Sequence, residues 1–119
     1  MIPYGRQHIT EEDIEAVVKV LRSDFITQGP VIEVFEKEFA EYVGARYAVA
    51  TSSGTAALHL SAIALGVNGT SRVITTPMTF VASANCILYC GAKPVFVDID
   101  PATYNMDPAK IEKAITSRT

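Results

Sequence analysis

From Tyr47 onward the sequence alternates between two kinds of segment, and this alternation restricts the fold more than any other feature. Tyr47-Ala48-Val49-Ala50, Arg72-Val73-Ile74-Thr75 and Pro94-Val95-Phe96-Val97 are short apolar runs bounded by turn-formers, the pattern of strands buried in a parallel sheet. Helical stretches follow each of them. One runs from Thr55 to Leu65 and is closed by Gly66. A second spans about residues 79–90, after Pro77. A third opens at the cap Asp107 and the first-turn proline Pro108 and continues through Ile115. Strand, helix, strand, helix, strand, helix predicts an α/β domain with a mainly parallel sheet flanked by helices. Three strands leave an open sheet edge and a half-covered core, and Thr116-Ser117-Arg118-Thr119 falls where a next strand is expected. Residues 45–119 therefore read as the first part of an α/β domain, incomplete as given.

Residues 1–44 have a different character and read as a helical segment. Thr10 followed by Asp13 is a capping-box start, with Asp in place of the usual Glu. Ile14, Val17, Val18 and Leu21 then repeat at helical spacing, and the helix should end near Arg22 or Ser23. Asp24 to Pro30 (DFITQGP) is a connection. A second amphipathic helix carries Val31, Phe35, Phe39 and Tyr42 or Val43 on one face, with Gly44 as its C-terminal cap.

Composition removes several classes of function. Charged residues are 19% of the chain, the net charge is -3, and the ten Lys and Arg are scattered singly. A nucleic-acid binder would show a basic stripe. No basic segment followed by an apolar stretch opens the chain, and no apolar run is long enough to span a bilayer. These features predict a cytoplasmic protein that contacts neither nucleic acid nor membrane. Cys86 and Cys90, four apart on a predicted helix, read as reduced, packed thiols, with no His or Cys nearby to complete a metal site.

Two segments carry candidate chemistry. Ser53-Gly54-Thr55-Ala56 lies between a strand and a helix, where unpaired N–H groups and the positive end of the helix dipole suit a phosphate. An ordinary helix cap explains the same residues. The spacing is neither that of a Walker loop nor that of a dinucleotide fingerprint. Thr76-Pro77-Met78-Thr79-Phe80 follows the second strand, at the sheet end where open α/β folds bind ligands. Phe80 there could cover a flat heterocycle, or it could anchor its helix in the core beside Ala84, Ile87 and Leu88. His59 reads as a partly buried structural histidine. Asp98 and Asp100 read as turn residues rather than a carboxylate pair, and Glu11-Glu12-Asp13 as negative charge at a helix start.

Taken in order, AVATSSGTAALHL, VITTPMTFVASAN and GAKPVFVDIDPATYNMDP closely resemble the DegT/DnrJ/StrS sugar-nucleotide aminotransferases. PYGRQ and DFITQGP extend the resemblance to the front of the chain. TQGP, TTPMTFVASAN and YCGAKPVFVDIDP are most similar to the branch that aminates a UDP-4-keto-6-deoxy-N-acetylhexosamine in pseudaminic acid synthesis. The resemblance implies the large domain of a fold-type-I transferase dependent on pyridoxal 5'-phosphate. Gly54, Thr55 and Ala56 would hold the cofactor phosphate, and Phe80 would stack on its ring, in a position often occupied by Trp. Tyr4, Asp24, Phe25, Ile26, Thr27 and Ser53 would lie near the sugar nucleotide.

By the same resemblance the amino donor is an amino acid, usually glutamate, the acceptor is C4 of the keto sugar, and the working form is a homodimer. The lysine that anchors the cofactor covalently and the aspartate that pairs with its ring nitrogen would lie downstream of residue 119. None of Lys19, Lys37, Lys93, Lys110 and Lys113 matches that lysine. The 119 residues are therefore expected to include no catalytic residue, to be inactive and to fold only marginally. The alternatives are a remnant that binds a partner chain and a dehydratase branch of the same family with histidine replacing the lysine.

Overall fold

A computed structural model describes residues 5–119. The chain divides into two compact units, one ending at Ala50 and one formed by Thr51–Thr119.

The first unit contains helices α1 (Glu11–Leu21) and α2 (Pro30–Val43). α1 starts at the predicted capping box. The Thr10 hydroxyl accepts the Asp13 N–H at 3.3 Å, and the Asp13 carboxylate accepts the Thr10 N–H at 2.8 Å. α2 opens with Pro30 in its first turn and ends at Gly44, whose φ of 69° is a left-handed conformation that side chains disfavour. On α2, Phe35 and Phe39, one turn apart, bring their ring centroids to 5.8 Å. Tyr47–Ala50, predicted as a strand, is not one. The run has no ladder partner among the described residues, and Tyr47 and Val49 are exposed. The Ala50 N–H goes instead to Glu36 Oε1 at 2.8 Å. Strand composition makes a segment suited to pairing, but only a neighbour makes it a strand.

The second unit runs α3 (Gly54–Ala64), β1 (Arg72–Thr75), α4 (Ala82–Tyr89), β2 (Lys93–Phe96) and α5 (Pro108–Ala114). β1 and β2 pair in parallel, with Arg72 opposite Lys93 and Thr75 opposite Phe96. The ladder extends one bond further, from the Val97 N–H to the Thr75 carbonyl at 2.8 Å. The unit thus has the predicted α/β character with two paired strands rather than three.

α4 packs on both strands and against α3. Its inner face carries Ala82, Cys86 and Ile87, and Ile87, at 2% exposure, is the centre of a small core with Ala92, Val67 and Val73. Leu88, grouped by spacing with this face, is exposed. The Cys86 and Cys90 thiols are free, Cys86 being buried. His59 on α3 is half-buried and meets the Tyr89 ring edge-on at 5.3 Å, joining the two helices as a structural residue. α5 is capped by Asp107 Oδ1, which accepts the Ala109 N–H at 2.9 Å.

Between β2 and α5 the acidic residues serve the turn. Asp98 Oδ1 accepts the Ile99 N–H at 2.8 Å, and Asp100 Oδ1 accepts the Ala102 N–H at 2.8 Å. Lys110 lies 3.2 Å from Asp107 and 3.9 Å from Asp98.

Candidate cofactor site at the start of helix α3

Ser53 is fully extended, at φ -166° and ψ 161°, and the chain turns into α3 at the next residue. Its carbonyl accepts the Ala57 N–H at 3.0 Å, the first bond of the helix, and also the Thr51 hydroxyl at 3.0 Å. Its own hydroxyl oxygen accepts the Ala56 N–H at 3.1 Å. A helix leaves its first N–H groups without intrahelical partners. Here the cap closes one of them. The N–H groups of Gly54 and Thr55 make no hydrogen bond among the described residues. No acidic residue lies in the first turn, so the positive end of the dipole is uncompensated there. A Cβ added to Gly54 would meet nothing within 4 Å, which leaves open space beside the free N–H groups.

That space is one side of a cavity of about 520 Å³ lined by Gly54, Thr55, Ala57, Leu58, Ser61, Phe80 and Ala82. Phe80 reaches it because α4 begins later than its sequence suggests, at Ala82 instead of near residue 79. Pro77 to Thr79 bend, and the first bonds toward the helix run from the Ser83 N–H to the Phe80 carbonyl and from the Asn85 N–H to the Val81 carbonyl. Phe80 therefore precedes the helix, with 73% of its surface exposed. It is not a core anchor.

The structure thus brings Gly54, Thr55 and Phe80 to one cavity. Ala56 does not line it, and its N–H is engaged by Ser53. Ser53 is placed as the helix cap. Ala57, Leu58 and Ser61 line the cavity without having been singled out. Their spacing from Gly54, three, four and seven residues on, is the signal that would have found them, since such positions share one helix face.

Asp24, Phe25, Ile26 and Thr27 belong to the connection between α1 and α2. The Ser23 hydroxyl donates to the Val20 and Phe25 carbonyls, at 2.8 and 3.0 Å. Phe25 and Ile26 are 59% and 69% exposed. The turn needs glycine at 29, because a Cβ there would stand 2.7 Å from that of Phe25. Tyr4 lies outside the described residues.

Two backbone donors with the Thr55 hydroxyl on one side, an aromatic face on another, and no carboxylate in the lining suit a phosphate ester that carries a flat ring. Comparison with known proteins gives the family. Residues 7–119 match the family model described as the DegT/DnrJ/EryC1/StrS aminotransferase family, and the chain belongs to that family. It is 48% identical over 118 residues to the spore coat polysaccharide biosynthesis protein SpsC of Bacillus subtilis, a match covering 99% of this chain and 30% of that protein. It is 46% identical over 118 residues to the UDP-4-amino-4-deoxy-L-arabinose–oxoglutarate aminotransferase of Shewanella sediminis, with the same coverage of both. Among solved structures it superposes on Spr1654 of Streptococcus pneumoniae with a TM-score of 0.90 and 41% identity, covering 99% of this chain and 30% of that one. Spr1654 has been solved in PLP, PMP and apo forms. The chain spans about 30% of the length of the relatives it matches.

Proposed function

We propose that this chain supplies the phosphate-binding end and one ring face of a pyridoxal 5'-phosphate site in a sugar-nucleotide aminotransferase. The observation that carries this reading is the shared cavity of Gly54, Thr55 and Phe80. The N–H groups of Gly54 and Thr55 and the Thr55 hydroxyl hold the phosphate, and Phe80 limits the tilt of the ring by covering one face. When bound, the cofactor supplies the electron sink for moving an amino group. Residues 45–119 form the first part of the cofactor domain, and residues 1–44 a helical segment before it.

The acceptor we infer is a UDP-4-keto-6-deoxy-N-acetylhexosamine, aminated at C4 with glutamate as donor. The segments TQGP, TTPMTFVASAN and YCGAKPVFVDIDP support that choice. Tyr4, Asp24 to Thr27 and Ser53 are assigned to the sugar-nucleotide side. The working form is a cytoplasmic homodimer. Among the described residues no helix is long and apolar enough to cross a membrane. The 119 residues alone do not turn over, because none of the five lysines matches the cofactor-anchoring position.

Pyridoxamine 5'-phosphate tests the site without covalent chemistry. Titrated into the 119-residue chain and followed by its own fluorescence, it should saturate one site. A linear, non-saturating response contradicts the proposal. For the absent lysine, pyridoxal phosphate followed by borohydride and peptide mapping should leave no stoichiometric adduct on a single lysine; finding one overturns the claim of inactivity.

A further inference from the structure

We infer that Ser53 is a positioning residue that fixes which amides the proposed phosphate site presents. The inference rests on that site being a cofactor site. Three N–H groups head α3, and the Ser53 hydroxyl oxygen withholds the third, on Ala56, at 3.1 Å. The Thr51 hydroxyl and the Ala57 N–H both donate to the Ser53 carbonyl oxygen, so the backbone that follows Ser53 is held as well as its side chain. Closing Ala56 fixes the first turn and leaves Gly54 and Thr55 as the pair that faces the cavity shared with Phe80.

An uncapped first turn frays, and a frayed turn offers its donors in many directions. Ser53 thus acts on the ligand through Gly54 and Thr55. Its role depends on a side-chain acceptor at this position and on that acceptor carrying no charge. A carboxylate would cap the turn equally well yet would stand beside an incoming phosphate and repel it.

The test is a titration of the ¹⁵N-labelled 119-residue chain with pyridoxamine 5'-phosphate, reading the amide resonances of residues 54 to 56 and the helicity of the free protein. In the wild type, Gly54 and Thr55 should shift on binding while Ala56 stays nearly fixed. Ser53→Ala should weaken binding about five-fold, the scale of a lost N-cap, with the Ala56 resonance now moving. Ser53→Asn, a neutral cap, should restore wild-type binding. Ser53→Asp should keep the helicity and lose binding.

The inference is overturned if Ala56 shifts as much as its neighbours in the wild type, or if Ser53→Asp binds as well as Ser53→Asn. Should Gly54 and Thr55 not respond at all in the wild type, the cofactor reading itself fails and takes this inference with it. If Ser53→Ala loses its fold, the Asn and Asp pair still decides, because both retain a cap.

Discussion

Helices α1 and α3 both begin at a hydroxyl cap, yet their first turns leave different groups open. At α1 the cap is reciprocal. Thr10 and Asp13 satisfy each other's N–H groups, and Glu11, Glu12 and Asp13 place three carboxylates on the first turn. The positive end of that dipole is filled by the chain itself. At α3 the cap is one-sided. Ser53 closes only Ala56, no acid follows, and Gly54 and Thr55 remain open toward a cavity that Phe80 also lines. The same element can thus end a helix or receive an anion, and the residues of the first turn decide which.

The largest expected effect comes from making the second start resemble the first. Gly54→Asp meets no steric obstacle, but its charge lies where the phosphate would sit. Binding of pyridoxamine 5'-phosphate should fall by about 100-fold, the scale of a charge-assisted hydrogen bond turned into repulsion. Calorimetry showing unchanged affinity would leave the open start of α3 without a role. Phe80→Ala should weaken the same complex by up to about 10-fold, as expected for a lost aromatic contact. Because Phe80 is mostly exposed, the thermal midpoint should hardly move. A large drop in stability with unaltered affinity would return Phe80 to the core.

The smallest effect separates the two starts by pH. The Asp13 carboxyl is held below its ordinary range by the Thr10 N–H and then by the Thr10 hydroxyl. Glu12 is lowered by its own backbone N–H and then by Thr10. Carboxyls whose folded pKa is depressed stabilise fully above their unfolded value of about 4, and that contribution is lost as pH falls through the folded value. Protection of the α1 amides, taken relative to intrinsic exchange at each pH, should therefore fall on acidification through that range. The cap of α3 has no titrating group and should show no matching step. Equal acid sensitivity at both helix starts would remove the distinction between a carboxylate-closed and a hydroxyl-capped turn.

The caps were legible in the sequence because they depend on near neighbours along the chain. Thr10 with Asp13, Asp107 before Pro108, and Gly44 after Val43 all act within one turn. β1 and β2 were legible through their apolar runs and the helix between them. Tyr47–Ala50 has the same composition and is unpaired, since pairing depends on a partner that local sequence does not specify. At the site, Gly54 and Thr55 could be read as anion donors. That Ser53 takes the Ala56 N–H was one of two readings left open, because a cap and a phosphate compete for the same group. Phe80 was placed inside a helix by its apolar spacing, and it lies outside because the chain bends at Pro77 to Thr79 before α4 can start.

If the open start of α3 holds the phosphate, a ligand that lacks the phosphate should lose that grip. Pyridoxamine 5'-phosphate and pyridoxamine share the ring and differ in the phosphate, so their affinities for the wild-type chain isolate what Gly54 and Thr55 contribute. The phosphate ester should bind at least about 10-fold more tightly, a margin that falls to near unity in Gly54→Asp. Equal affinities of the two compounds for the wild type would contradict a phosphate site at the start of α3.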